Sequence, residues 1–150
     1  MKNMLDDVDK SILNIIQRNG RVSYSEITKQ TGIADATIRF RVNRLVKKGV
    51  IRGFSAILNP AMIGFSISGA ILLKIDSSNI DDVITKLVNS SETSYIYRST
   101  GEYDVVSVIY ARDIGHFNEF VKKVKMLKGV KVVRVSVTTE LIKANPTFKL

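Results

Sequence analysis

Apolar positions in the first fifty residues recur at helical spacing. In DDVDKSILNIIQR, residues 6–18, Val8, Ile12, Ile15 and Ile16 form one stripe. Acids fill the opening turn, where the helix dipole favours them, and Asn19-Gly20 ends the pattern. Ser23-Tyr24-Ser25-Glu26 fits a capping box, in which the Ser23 hydroxyl and the Glu26 carboxylate each satisfy an unpaired backbone N–H. This predicts a short second helix to about Thr31, presenting Ile27 inward. Gly32-Ile33 is a tight break. A third helix begins near Asp35 and ends at Lys47-Lys48-Gly49, with cations in its last turn and glycine in the terminating position. Its inward band is Ile38, Val42, Leu45 and Val46. Helix, short helix, glycine-containing turn and helix make a helix-turn-helix unit.

From Val50 the period changes. Residues 50–58 read as a strand, Asn59-Pro60 breaks it, and FSISGAILLKID (65–76) reads as a long strand. Residues 79–89 are helical, with Ile80, Val83, Ile84 and Leu87 in register. Residues 94–100 and 105–111 are strands joined by Gly101-Glu102-Tyr103-Asp104. A helix over 113–127 buries Ile114, Phe117, Val121, Val124 and either Phe120 or Leu127, and a β-branched strand fills 130–142. The order β-α-β-β-α-β is the split ferredoxin-like arrangement, so the fold class is α+β. The expected parts are a DNA-binding domain over 1–52, a hinge strand or linker over 53–64, a ferredoxin-like domain over 65–142 and a loose tail over 143–150.

Charge sharpens this picture. The net charge is +9, and residues 1–52 hold eleven Lys/Arg against five Asp/Glu, whereas 53–150 hold twelve against nine. Excess positive charge therefore concentrates on the helical third, which points to a polyanion there. The longest near-apolar run, 67–73, is too short to span a bilayer. MKNMLDDVDK carries no apolar leader, so the expected location is cytoplasmic and nucleoid-associated, with no membrane partner. The chain has no cysteine, which excludes disulfides, thiol catalysis and Cys-based zinc sites.

The third helix, TIRFRVNRLVKKG, carries five cations and no acid. At about 100° per residue its outer side presents Ala36, Phe40, Asn43, Arg44 and Lys47, flanked by Arg39 and Arg41. The DNA major groove admits one α-helix, and Arg and Asn read its base edges. Asn43 suits an adenine edge, and Arg39 or Arg44 a guanine. Arg41, Lys47 and Lys48 are placed as phosphate contacts that set register. An outward Phe40 would meet a thymine methyl or a deoxyribose, or else pack on a partner subunit or loop. Thr37 and Ser23 complete the expected duplex surface.

These segments resemble the Lrp/AsnC, or feast/famine, family of bacterial and archaeal transcription regulators over essentially the whole chain. LDDVDKSILNIIQRNGRVSYSEITKQTGI is similar to the family's opening, and TIRFRVNRLVKKGVIRGFSAILNPAMIG to its recognition helix and the segment beyond. STGEYDVVSVIYA and LKGVKVVRVSVTTELIK resemble its effector-domain hallmarks. Two departures stand out. The family often opens the recognition helix with Ser-Pro where this chain has Ala34-Asp35, and favours a basic triplet where it has Arg39-Phe40-Arg41.

The resemblance implies a winged helix-turn-helix domain followed by a RAM-type ferredoxin-like domain. The latter both oligomerises and senses a small effector, usually an amino acid. Dimers would form by sheet-to-sheet packing and assemble further, to an octamer or another higher oligomer. Ligand would sit between dimers near residues 101–104. Gly101 there lets backbone N–H groups approach a carboxylate, Asp104 would pair with an α-ammonium group and Tyr103 would cover an aliphatic stem. Glu102 belongs to the same loop, and Thr100, Thr138 and Thr139 offer hydroxyls. Gly-Glu-Tyr-Asp is equally a good hairpin turn, with Asp104 as its cap.

Other readings are weaker. RNA-recognition modules share the strand order but stack bases on aromatics of the central strands; here 65–76 has an aromatic only at its edge, and GEYDVVSVIY lacks the basic-Gly-aromatic spacing at its start. For catalysis, the single histidine, His116, sits beside Phe117 and reads as packed or half-exposed. No metal cluster, phosphate-cradling loop or nucleophile elbow is present, so neither an enzyme nor a cofactor or metal is expected. Asp81-Asp82 simply opens a helix, and Tyr95 and Tyr97 read as interface or core residues. Two functions stay open: an effector-gated regulator that binds double-stranded DNA, and an architectural, chromatin-like oligomer without a ligand.

Overall fold

The computed structural model describes residues 5–143 and 147–150. Its backbone falls into two compact units, one formed by Met1–Ile57 with Lys143–Leu150 and the other by Leu58–Ile142.

The first unit is a helical trio: α1 (Asp7–Ile16), α2 (Tyr24–Thr31) and α3 (Asp35–Lys47). A capping box does occur, but on α1. Asp6 accepts from the Asp9 N–H at 2.8 Å, and the Asp9 carboxylate accepts from the Asp6 N–H at 3.4 Å. On α2 only half of the expected box forms. Ser23 Oγ accepts from the Glu26 N–H at 3.2 Å, while the Glu26 carboxylate takes Gln30 Nε2 at 3.3 Å instead. Gly32, at φ +72°, makes the left-handed turn into α3. The core is Ile12, Leu13, Ile16, Ile27, Ile38, Val42, Leu45 and Ile51. Val46 does not join it. Ile38, Val42 and Leu45 already fill the seam at i, i+4 and i+7, and Val46, one residue further round, stays 44% exposed.

Residues 50–58 form no strand. A β-branched sequence becomes a strand only against a partner ladder, and no described residue supplies one, so Phe54, Ile57 and Leu58 remain exposed. For the same reason the first unit shows no wing: its described residues contain no strand. Residues 60–63 close a 3₁₀ turn, capped by the Asn59 side chain accepting from the Ala61 N–H at 3.1 Å. The tail expected to be loose falls partly on 144–146, outside the described residues. At Phe148 it is held: its N–H donates to Gln17 Oε1 at 2.8 Å, and its carbonyl accepts from Gln17 Nε2 at 2.7 Å.

The second unit runs β1 (Ile67–Ile75), α4 (Ile80–Val88), β2 (Thr93–Arg98), β3 (Val105–Ala111), α5 (Ile114–Lys125) and β4 (Val130–Val137). The sheet order is β2-β3-β1-β4, with every neighbouring pair antiparallel. Alternate residues of β1 and β3 point to one face and meet α4 and α5. Ile71, Leu73, Ile75, Val105 and Ile109 thus pack with Val83, Leu87, Phe117, Phe120, Val121 and Val124. Phe120 is buried and Leu127 packs half-buried against the same core, so both occupy it. Ile114 does not: as the first helical residue it lies 53% exposed, beside the cap in which Asp113 accepts from the His116 N–H at 2.8 Å. β4 stops at Val137 and not at residue 142, because its partner runs out. Gly69 pairs with Val137, and the Thr138 N–H makes one last bond to the Ser68 carbonyl at 2.8 Å.

The described helices of this unit, α4 and α5, leave the opposite face of the sheet uncovered. Cross-strand register puts Tyr95, Tyr97, Val106, Val108, Tyr110, Ala70, Leu72 and Val132 together there. Tyr95 and Tyr97 are 68% and 54% exposed, so they belong to this open apolar face and not to the core.

Candidate functional site

The outer side of α3 holds Thr37, Phe40, Asn43, Lys47 and, just past its end, Lys48, all exposed. Phe40 is 65% exposed. Arg39 projects beside them. Its guanidinium carbon lies 5.1 Å from the Tyr24 ring centroid on α2, and its Nη2 is 3.5 Å from Asp35 Oδ1. Two weak restraints thus hold a base-reading type of side chain in reach of a groove. Ser23 is exposed, but its hydroxyl already caps α2 and faces Ser25 Oγ at 3.0 Å.

Arg41 and Arg44 are placed otherwise than the helical wheel suggests. Arg44 Nη2 donates to Asp9 Oδ2 at 2.6 Å, and Arg41 Nη1 donates to Asp9 Oδ1 at 3.2 Å and to Asp6 Oδ2. The Asp9 side chain is fully buried. Long arginine side chains reach across to α1 because a buried carboxylate must find cationic donors. The Arg41 hydrogen bond holds the Asp6 carboxyl below the usual range, and the same contact raises Arg41. The signal was present in the sequence: Asp6/Asp9 and Arg41/Arg44 share the i,i+3 spacing, one pair per helix. Reading those acids only as dipole-compensating residues missed it.

The loop of the second unit is built around Asp104. β1 and β3 make their last backbone pair at Leu73 and Val105, and the β1–β4 register slips at Lys74/Ile75. There the Asp104 side chain takes over as acceptor, from the Ile75 N–H at 2.8 Å and from Lys74 Nζ at 2.9 Å. Its N–H donates to the Leu73 carbonyl at 2.8 Å, and its carbonyl accepts from the Ser99 N–H at 2.9 Å. The Ile75 N–H, with Lys74 beside it, holds the Asp104 carboxyl below the ordinary range. Asp104 is therefore the loop's cap, with both oxygens occupied. Thr100, Gly101 (φ +135°) and Glu102 are exposed, and Glu102 is the loop carboxylate without a partner among the described residues. Tyr103 is half-buried, its hydroxyl accepting from Arg134 Nε at 3.2 Å.

Thr138 and Thr139 do not join this loop within one chain. Thr138 adjoins Ser68 at one end of β1, and Asp104 adjoins Ile75 at the other. Seven residues of strand separate those ends, about 23 Å at 3.3 Å per residue. One copy cannot bring both groups to a single small ligand.

His116 lies beside a depression of about 470 Å³ lined by Ser91, Arg112, Asp113, Gly115 and Glu119. Its Nδ1 accepts from the Arg112 N–H at 3.3 Å and its Nε2 faces Glu92 Oε1 at 3.2 Å. The Ser90 hydroxyl, 2.6 Å from Glu92 Oε2, leads His116 and Ser91 in holding the Glu92 carboxyl at about 2. Starting from a reference of 4.5, this depressed value means stability that is complete above that pH and is lost as pH falls toward 2. Acid titration by near-UV circular dichroism should show that loss, at most about 3 kcal/mol, and Glu92→Gln should flatten it. An unchanged acid limb in the Gln variant would remove Glu92 from the account.

Comparison with known proteins fits this geometry. A family model described as winged helix-turn-helix DNA-binding matches residues 5–52, and one described as Lrp/AsnC ligand binding domain matches residues 69–148. The chain is 39% identical over 131 residues to the HTH-type transcriptional regulator FL11 of Pyrococcus furiosus, covering 87% of each protein. It is 36% identical over 141 residues to an HTH-type transcriptional regulator of Methanocaldococcus jannaschii, covering 93% of this chain and 95% of that one. In fold it is similar to a transcriptional regulator of Neisseria meningitidis crystallised with L-Met, at TM-score 0.91 and 23% identity over 97% and 96% of the two chains. Among the described residues no helix is long and apolar enough to cross a membrane. A helix-turn-helix unit with an exposed cationic helix, joined to a four-stranded sheet bearing an ordered loop, places this chain in the Lrp/AsnC family of DNA-binding transcriptional regulators with a ligand-binding domain.

Proposed function

We propose that the protein acts as a homodimer, or a higher assembly of dimers, that reads duplex DNA with the outer face of α3 and responds to an amino acid at the loop 100–104. The observation that carries the DNA half is the exposed, unpaired set Thr37, Phe40, Asn43 and Lys47 on one side of a helix whose other side is fully packed. A dimer would present two such helices about one helical turn of DNA, or a multiple, apart, favouring pseudo-palindromic sites. The open sheet face around Tyr95, Tyr97, Val106 and Leu72 suits sheet-to-sheet pairing, since apolar surface of this kind is stabilised by burial.

Fluorescence anisotropy over a salt series tests this reading. Asn43→Ala should weaken a selected operator by about 1–3 kcal/mol while leaving random duplex unaffected. Lys47→Ala should weaken both and flatten the salt slope by about 0.9 per helix. Equal losses on operator and random duplex for Asn43→Ala would end its base-reading role.

For the effector, an amino acid suits a loop that offers the Glu102 carboxylate to an ammonium group and backbone around Gly101 to a carboxylate. The fold neighbour bound to L-Met supports the ligand class. Because Thr138 and Asp104 lie at opposite ends of β1, a site using both needs a second copy of the chain. A thermal-shift screen of the twenty amino acids decides between this reading and an architectural DNA binder without a ligand. A ligand at a hundredfold its Kd adds about 2.7 kcal/mol, and Glu102→Gln should abolish the response. Twenty null results would favour the architectural reading.

A further inference from the structure

Five cations lie along α3 and its cap, yet the fold treats them unequally. Lys47 and Lys48 are free, and Arg39 is only loosely restrained. Arg41 and Arg44, by contrast, are bound to carboxylates of α1. We infer that Asp6 and Asp9 occupy the Arg41 and Arg44 guanidinium groups as phosphates would, keeping two sequence-blind contacts out of the DNA interface and so holding down affinity for duplex of any sequence. This deepens the assignment of α3 as the duplex-reading helix and rests on it.

The argument is one of competition. Guanidinium pairs with carboxylate and phosphate through the same forked donors, so one partner excludes the other at a given N–H. Arg44 bonds a carboxylate with no access to solvent, and moving to a phosphate would strand that charge. Arg41 is shared between buried Asp9 and half-exposed Asp6, and is the more releasable of the two. Each cation that stays on α1 removes about 0.9 from the salt slope, or about threefold in random-duplex affinity for a fourfold change of salt. Contacts to phosphate strengthen all sequences alike, so withholding them lowers the affinity for every duplex and leaves the ratio of operator to random binding unchanged.

Asp7 provides the control, because it lies in the same helical turn, is fully exposed and pairs only with Lys10 at 3.6 Å. Asp6→Asn and Asp7→Asn change net charge equally, and asparagine at residue 6 still caps α1. Anisotropy on random 30-base-pair duplex and on a selected operator, over a series of potassium chloride concentrations, separates them. Asp6→Asn should gain about threefold over wild type, on random duplex and operator alike, for each fourfold lowering of salt, steepen the slope by about one unit per α3 and leave the operator-to-random ratio unchanged. Asp7→Asn should leave the slope unchanged. Arg41→Gln should leave the wild-type slope unchanged yet cancel the gain made by Asp6→Asn. Equal slopes for the two Asn variants, or a wild-type slope that falls by about one with Arg41→Gln, overturns the inference. The Arg41→Gln comparison stands even if Asp6→Asn fails to fold. A wild-type chain showing no salt-dependent duplex binding overturns instead the assignment of α3 itself.

Discussion

Asp9→Ala is expected to lower the stability of the helical unit by about 3 kcal/mol, the low end of the cost of breaking a buried ion pair. Its carboxylate is fully buried and receives Arg44 at 2.6 Å, Arg41 at 3.2 Å and the Asp6 N–H at 3.4 Å. Removal leaves two guanidinium groups facing an empty site, although both retain a path to solvent, which sets the low end of the range. For a unit of this size 1 kcal/mol moves the melting temperature by about 4–8 °C, so a fall on the order of 15 °C follows. Differential scanning calorimetry should show it in the helical unit's transition alone. Isosteric Asp9→Asn should recover part of the loss by keeping acceptor geometry. Melting within 2 °C of wild type would mean that the cluster does not hold α1 to α3.

The second large effect lies at Gly69 in β1. A Cβ at this position would sit inside van der Waals contact with the Ser136 carbonyl oxygen of β4 and 3.0 Å from Cε2 and Cζ of buried Phe117 on α5. Neither neighbour yields cheaply, because one is ladder backbone and the other a packed ring. Gly69→Ala should therefore cost about 3 kcal/mol, at the upper end for overpacking, and Gly69→Val more. Urea denaturation followed by Tyr fluorescence reads this as a lower midpoint with an unchanged slope. Gly53→Ala, where an added Cβ meets nothing within 4 Å, should be near neutral and serves as the control. A Gly69→Ala midpoint equal to wild type would contradict the close approach of α5 to the sheet.

Both sites bear on what the sequence reveals. Periodicity alone located the helices and strands of both units, because a buried stripe at 3.6 or 2 residues is enforced by one-sided packing. It misjudged 50–58, since β-branched residues record a tendency whose outcome depends on a partner strand absent from the described chain. It misjudged Arg41 and Arg44 because a helical wheel assigns Cα directions, whereas a side chain as long as arginine follows the nearest buried anion. Asp104 was legible only as a choice between ligand partner and turn cap, and its hydrogen bonds to Ile75 and Lys74 show the cap. Thr138 and Thr139 looked like neighbours of that loop on sequence grounds. Strand register, which no linear pattern contains, sends them to the far end of the sheet.

The Asp104 cap has one more consequence. With its carboxylate stitched to the end of β1 and its backbone bonded to Leu73 and Ser99, Asp104 closes the loop in a fixed place, so less of the attraction to an arriving molecule is lost in freezing it. What remains is free to bias how copies of the chain meet. On the function proposed above, a mutation that unfastens the buckle would cost sensitivity to the messenger before it cost the message's reading.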